Sequence, residues 1–425
     1  MTQLPETLDG WLALLEARHD QQIQLGLERV EKVFRESGLD LSCPVFTVGG
    51  TNGKGSVCAM LEAILLAAGY RVGLYTSPHL LQYNERVRVN GREVDDAALV
   101  EGFARIERAR AATPLTYFEH GTLAAMSVFE GSELDVVILE VGLGGRLDAV
   151  NVIDPDCAIV TSVAMDHMEY LGTSREAIGF EKAGIFRAGR PAICGDPIPP
   201  ESLVNRATEL GAELQISGRD FGFSGDRTQW AFWGRNGLKR GGLAYPALRG
   251  ANQLLNAAAV IAALDAIKER LPVPMQAVRQ GMMLVDLPGR FQILPGRPTV
   301  VLDVAHNPQA AGVLAENLSN MGFYPETWAV FGMLADKDVA GVVQRLGGRV
   351  DHWLVASPPG PRAKPAGELA EVVSSVSGCS DVRVCESVRD AYEQAGKSAA
   401  EGDRIIAFGS FLTVAEVMKA LRKQR

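Results

Sequence analysis

Cysteine is scarce in this chain, six residues in 425, and Cys43, Cys58, Cys157, Cys194, Cys379 and Cys385 show no paired metal-binding spacing. That excludes a zinc ribbon or a disulfide scaffold and predicts buried, reduced thiols. Excess positive charge is also missing: 42 Lys and Arg stand against 51 Asp and Glu, a formal charge of −9. Sequence-independent nucleic-acid binding needs a basic face, so no nucleic-acid partner is expected, although a local site can still hold an anion. No long apolar run occurs. The opening "MTQLPETLDGWLALLEARHD" carries acids and no apolar core, so neither a signal peptide nor a membrane anchor is expected. A cytoplasmic monomer without a membrane partner is the expectation. Low-complexity tracts and internal repeats are absent as well.

What is present reads as α/β. Domains usually hold about 100–200 residues, so 425 residues call for two. Short β-branched runs at 45–48, 71–75, 135–141, 157–163 and 191–194 alternate with Ala- and Leu-rich helical stretches. That is the pattern of a mostly parallel sheet covered by helices. Within 213–249, "LQISG", "TQWAFWG" and "GGLAYPALRG" predict a small antiparallel side sheet. A helix is predicted over 252–271. The Pro- and Gly-rich segment 286–298 marks a domain boundary, giving domains 1–287 and 288–425. Beyond it, "TVVLDVAHNP", "TWAVFGM", "HWLVAS", "VRVCES" and "DRIIAFGSF" predict a smaller Rossmann-like α/β domain.

The chemistry starts at "VFTVGGTNGKGS", residues 45–56. A strand that breaks into glycines and then opens a helix offers backbone N–H groups at the positive end of a helix dipole. Gly50, Gly53 and Gly55 let phosphate oxygens approach, Lys54 can reach terminal phosphates, and the Ser56 hydroxyl faces metal or phosphate. The bland alternative is a glycine turn with an incidental lysine, but the full order of strand, glycines, lysine, hydroxyl and amphipathic helix favours nucleotide. Glu140 ends the apolar run "DVVILEV", the edge where open α/β sheets bind ligands, and could hold Mg²⁺. His167, taken alone, reads as a packed or capping histidine, Ser77 as a turn serine, and Lys182 as a surface or phosphate-facing lysine. Asn307, followed by Pro308, reads as a helix cap.

The spelling "GTNGKGS" resembles the folylpolyglutamate synthase and dihydrofolate synthase family, relatives of the Mur ligases. In Mur ligases Ser or Thr normally follows the Lys directly; the intervening Gly55 fits the folate branch. "LGLERV" (25–30), "YTSPHL" (75–80), "ERVRVNG" (85–91), "TYFEHGTLAA" (116–125), "EVGLGGRLDAVN" (140–151), "DHMEYLG" (166–172), "EKAGIF" (181–186), "LPGRFQ" (287–292), "DVAHNP" (303–308) and "FGSF" (408–411) resemble it in the same order.

The resemblance implies ATP and Mg²⁺, with Ser77, Glu140 and His167 at the metal, and adds a monovalent cation as an option. It makes Lys182 a lysine that CO₂ can carboxylate, an anion suited to face metal. Gly53, Lys54, Gly55, Ser56, Asn256, Arg290 and Asp303 would contact ATP. Ile23, Gln24, Leu25, Thr116, Tyr117, Phe118, Glu119, Leu147, Asp148 and Ala149 would surround dihydropteroate, Phe118 and Tyr117 by stacking and Asp148 by accepting pterin N–H groups. His306 and Ser410 are implied for the incoming L-glutamate. Lys54, Lys182 and His306 would then be the catalytic set. The implied reaction, part of folate biosynthesis, activates a carboxylate as its acyl phosphate and joins it to glutamate, on dihydropteroate and on reduced folates. A folylpolyglutamate synthase alone, a Mur-type ligase and a P-loop ATPase switch are the alternatives. A nucleotide-sugar ligase calls for a domain before the loop, yet the loop's strand already begins at Val45.

Overall fold

The computed structural model describes residues 4–18, 24–226 and 229–423, grouped in two compact units. The first holds 1–163, 171–247 and 254–285; the second holds 164–170, 248–253 and 286–425.

The first unit is built on eight strands: β1 (Val45–Gly49), β2 (Val72–Tyr75), β3 (Val87–Val89), β4 (Arg92–Glu93), β5 (Val136–Glu140), β6 (Cys157–Val160), β7 (Pro191–Cys194) and β8 (Glu213–Ile216). They pair in the order β4-β3-β2-β5-β1-β6-β7-β8. Six are parallel, and β3 and β4 add an antiparallel edge. The central strands β1, β2, β5 and β6 are buried throughout, which is why they read as unbroken apolar runs without alternation. After β1 the chain moves to one side of it for β2 to β5 and to the other for β6 to β8. The carboxyl end of β1 is therefore a topological switch point, where such sheets bind ligands.

Three expectations need correction here. "LQISG" does not join the side sheet: its strand β8 extends the main sheet in parallel with β7. The side sheet is instead β9 (Gly222–Gly225), β10 (Trp230–Trp233) and β11 (Lys239–Leu243), and glycines at both ends of β9 hid that strand from a β-propensity reading. The helix behind the loop, Lys54–Ala67, is not amphipathic; Ser56 through Glu62, Ile64 and Leu65 are all buried. It is covered on its far side by the helix Met275–Leu284. That contact is close: a β-carbon on Gly281 would stand 2.5 Å from the Ile64 Cα.

The second unit carries β12 (Gln292–Leu294), β13 (Thr299–Leu302), β14 (Thr327–Phe331), β15 (His352–Val355), β16 (Val382–Val384) and β17 (Arg404–Phe408) in the order β12-β13-β17-β14-β15-β16. All five predicted strands form and pair in parallel. The Pro- and Gly-rich segment adds a sixth, β12, as an antiparallel edge. A core of Phe331, Trp353, Phe408, Leu314, Val342 and their neighbours belongs to this unit alone. The thiols are free, with Cys43 and Cys379 half-buried and the other four buried. Among the described residues no helix is long and apolar enough to cross a membrane.

Candidate active site

In the first unit the site grows from the carboxyl end of β1. The loop leaves β1 at Gly50, whose φ of +139° and closeness to Thr161 admit no side chain: a β-carbon would sit 1.9 Å from Thr161 Oγ1. Gly53, φ +91°, caps the helix beginning at Lys54, and a β-carbon there would stand 2.7 Å from Asn256 Oδ1. Asn256, predicted for ATP, is thus beside the loop. The two residues that follow β6 buttress it: the Thr51 N–H donates to Ser162 O (2.8 Å), the Asn52 N–H to Ser162 Oγ (3.1 Å), and Thr161 Oγ1 to Asn52 O (2.7 Å). Thr161 and Ser162 escaped the sequence reading, because nothing in "VTSV" marks a hydroxyl that holds a loop more than a hundred residues away.

Lys54 is half-buried, with Nζ donating to the carbonyls of Gly50 (3.0 Å) and Thr51 (3.2 Å). No acid lies in the first turn of its helix, so the helix dipole and the ammonium keep the loop positive. Beneath the loop, burial pushes the Cys58 thiol well up, with the nearby Glu140 carboxylate adding to it, so this sulfur stays protonated.

Glu140 is buried at the end of β5, level with Val48 of β1. Its Oε2 accepts the Ser77 N–H at 3.1 Å, so two of the three predicted metal residues meet. His167 groups with the second unit. Lys182 is 3% exposed, so it is not a surface lysine; its helix packs against the 142–148 loop, where the Arg146 N–H donates to Glu181 O.

The residues predicted around a pterin gather beside this edge. The Phe118 ring lies against Gly142, and Tyr75 is tilted on it at 6.2 Å between centroids. Asp148 is buried; its carboxylate accepts the N–H groups of Leu143 (2.8 Å) and Val150 (3.0 Å). Burial pushes its carboxyl up to about 6, against the pull of those bonds. Leu147 is half-buried and Ala149 buried, and the Leu147 carbonyl accepts the Gly26 N–H (3.4 Å) next to Gln24 and Leu25. Tyr117 stands edge-on to Tyr83 at 6.0 Å, and Arg86 lies over both rings. Thr116 and Glu119 form a capping box on the helix Tyr117–Glu130, and Glu119 also pairs with Arg29 at 2.6 Å. Their side chains are committed to that helix start. Ile23 lies outside the described residues.

In the second unit the other predicted residues gather at the carboxyl ends of β13 and β17. The Asp303 carboxylate accepts the N–H groups of Ala305 (2.8 Å) and Phe291 (3.0 Å); burial pushes its carboxyl up. Arg290 lies over the Phe411 ring at 4.8 Å, and the His306 ring faces the same phenyl at 6.2 Å. Asn307 caps the helix Pro308–Asn320 as predicted, accepting the Ala310 N–H at 2.9 Å. Ser410 is buried as the cap of the helix Phe411–Lys423: Oγ accepts the Thr413 N–H (3.0 Å) and shares a hydrogen bond with Thr413 Oγ1 (2.8 Å).

Two residues missed in the sequence stand at the centre of this group, Asp166 and Lys337. Lys337 Nζ is 2.6 Å from Asp166 Oδ1, and both side chains are under 10% exposed, at 6% and 7%. Burial opposes ionisation of Asp166, but His306, His167 and Lys337 hold its carboxyl well below the usual carboxylate range. The motif "ADKD" reads as a solvated charged turn, and only the fold turns its lysine inward.

Residues 48–194 match the Mur ligase middle domain, and 289–411 match the Mur ligase glutamate ligase domain. The dihydrofolate synthase/folylpolyglutamate synthase of Escherichia coli K12 is 46% identical over 424 residues, spanning 100% of this chain and 97% of the relative. Its counterpart from Mycobacterium tuberculosis H37Rv is 32% identical, spanning 93% and 88%. Among solved structures, E. coli FolC in complex with DHPP and ADP superposes with a TM-score of 0.94 at 45% identity, covering 100% of both chains. A bifunctional folylpolyglutamate synthase/dihydrofolate synthase with Mn, AMPPNP and L-glutamate bound gives 0.91 at 46%, covering 99% and 100%. Glycine loop, buried carboxylate at the switch point and a second α/β unit of the glutamate ligase type agree with full-length similarity, and the chain belongs to the dihydrofolate synthase/folylpolyglutamate synthase family of Mur ligases.

Proposed function

We propose that this protein joins L-glutamate to a pterin-bearing carboxylic acid at the expense of ATP, acting both as dihydrofolate synthase on dihydropteroate and as folylpolyglutamate synthase on reduced folates. The observation that carries it is the phosphate loop, built against Thr161, Ser162 and Asn256 at the switch point, next to the Glu140–Ser77 pair. The relatives named above support the substrates: one structure holds DHPP and ADP, another AMPPNP, Mn and L-glutamate.

The substrate carboxylate oxygen attacks the γ-phosphorus of ATP, ADP leaves, and an acyl phosphate forms. The glutamate amine then attacks the acyl carbon, phosphate departs, and the amine loses a proton. The first step asks the protein mainly for positioning and charge stabilisation. The loop N–H groups and Lys54 hold the phosphates, with Gly53, Gly55, Ser56 and Asn256 shaping their seat, and Arg290 and Asp303 as further nucleotide contacts. Phe118, Tyr117 and Asp148 orient the pterin. His306 receives the glutamate, while the Ser410 hydroxyl, also implied for glutamate, is taken up in capping the helix Phe411–Lys423. The first unit thus supplies the phosphate loop and the pterin residues, and the second supplies Arg290 and Asp303 and receives the glutamate.

A divalent ion fits the donors: Glu140 and the Ser77 hydroxyl supply the oxygens Mg²⁺ prefers. Ser77 and Glu140 would hold it, with His167 the further ligand. When bound, the ion neutralises charge on the phosphates. Lys182 is proposed as the lysine that carries a carbamate, an anion suited to face a divalent ion; its side chain is buried rather than turned to solvent. The proposal extends to a cytoplasmic monomer, with a monovalent cation as an optional further ion.

The test is direct. Purified protein with ATP, Mg²⁺ and L-glutamate should make dihydrofolate from dihydropteroate and a glutamyl-extended product from tetrahydrofolate, with ADP release that needs glutamate. Addition to tetrahydrofolate alone would reduce the proposal to a folylpolyglutamate synthase, and glutamate-independent ATP turnover would replace it with a hydrolase. Restoring bicarbonate to CO₂-depleted protein should raise the rate if Lys182 is carboxylated.

A further inference from the structure

The segment 164–170 follows β6 of the first unit yet packs with the second, returning at Leu171. Its hub is one carboxylate. Asp166 Oδ1 accepts the Lys337 ammonium (2.6 Å) and the His167 N–H (2.8 Å); Oδ2 accepts Asn307 Nδ2 (3.1 Å) and stands 3.4 Å from His306 Nε2. His306 Nδ1 lies 2.8 Å from Val304 O, so both ring nitrogens are fixed. Lys337 Nζ is also 3.4 Å from His167 Nε2. His167 has φ of +51°, a left-handed conformation uncommon for a residue with a β-carbon, and such conformations persist where surroundings over-determine them.

We propose that Asp166 is a positioning residue for the ligation: one carboxylate holds the turn that presents His167 and, through Lys337, Asn307 and the ring of His306, the start of the helix that faces glutamate. The inference rests on the reading above for the roles of His167 and His306. A nearly buried charge is costly unless paired and hydrogen-bonded on each side, and a purely structural pair could be replaced by apolar side chains. Here the partners are the histidines of the reaction themselves. Lys337 accordingly spends its ammonium on Asp166, keeping the carboxylate charged and oriented.

The experiment compares Asp166→Asn, Lys337→Met, Lys337→Arg and the Asp166→Asn/Lys337→Met pair, all in the full chain. Partners that orient reacting groups typically matter by about 10–100-fold, so each of Asp166→Asn and Lys337→Met should lower kcat by about that factor. ADP affinity should stay within about twofold of the parent, because the substitutions leave Lys54, Arg290 and Asp303 in place. The double variant should be no worse than the poorer single, and Lys337→Arg should recover part of the rate. Imidazole NMR of the unliganded chain should show the His167 and His306 ring signals displaced in Asp166→Asn, with those of His79, His120 and His352 in place. Multiplicative losses, a kcat near that of the parent, or unmoved His167 and His306 signals would overturn the inference. An unmodified protein that fails to add glutamate would sink the functional reading instead, while the NMR comparison still decides the role of Asp166.

Discussion

At the scale of single residues, the chemistry of a side chain followed from its type, and its freedom to act followed from its neighbours. Lys54 shows this, because a loop lysine by its type belongs in solvent. It is half-buried and bridges two carbonyls of its own loop. Lys54→Met keeps the volume and removes the charge. Ligation should fall by about 10²–10³-fold, the usual cost of one preorganised donor at developing charge. Unfolding free energy should change by about 1 kcal/mol, the net worth of such hydrogen bonds; steady-state kinetics and urea unfolding check both. His120 gives a pH prediction. It is fully buried between Trp11 and Phe103, Nε2 facing Phe103 O at 3.2 Å, and burial pushes its pKa down to about 4. An unfolded histidine titrates near about 6.5, so the stability gained by keeping it neutral is complete above that pH and drains away as pH falls toward about 4. The loss should approach about 3 kcal/mol, and His120→Leu should flatten the fall in melting temperature between pH 7 and 5. Asp148 has the opposite sign: its raised carboxyl favours the fold below its unfolded pKa and loses that benefit as pH rises through about 6.

At the scale of elements, apolar runs announced β1, β2, β5, β6 and β7 because strands buried on both faces are mostly apolar and lack a polar alternation. The same logic hid the burial of the helix Lys54–Ala67: its sequence contains Glu62 and the small residues Gly55, Ser56, Ala59, Ala63 and Ala67, and only the packing of a second helix shows that no face is solvated. Glu62 is tolerated there because Arg88 pairs with it at 3.0 Å, although burial still pushes its carboxyl up. The crossing at Gly281 fixes that second helix. Gly281→Val drives a side chain into the Ile64 backbone and should cost about 1–3 kcal/mol or more in urea unfolding. Because the displaced helix carries Lys54, ADP affinity should fall with it; unchanged affinity would mean that the loop is held by the two residues after β6 alone.

At the scale of the whole molecule, two units carry separate cores, one around Trp11, Phe103, Phe129 and Leu139 and one around Phe331, Trp353 and Phe408. The chain passes between them more than once, at 164–170 and 248–253 as well as at 286. A single cut in the sequence, drawn from proline and glycine content, has no means of anticipating the first two passages. They matter because one of them carries Asp166 and His167. The functional prediction belongs at this scale: glutamate-dependent ADP release with a glutamyl-extended product requires both units, so a fragment ending before residue 286 should bind ADP and form no amide.

The sequence by itself determined the parallel α/β layering, the phosphate loop, the carboxylate at the end of β5 and the family, because each is written in local order: an apolar run, then glycines, then a lysine and a hydroxyl. It also determined the Asn307 cap, a matter of neighbours along the chain. Only the tertiary structure decided which polar side chains are spent on the fold, as with Thr116, Glu119 and Ser410, and which are gathered from a distance. Thr161, Ser162, Asp166 and Lys337 belong to that second group. Their partners lie far away in sequence, and a hydrogen bond leaves no periodicity to read.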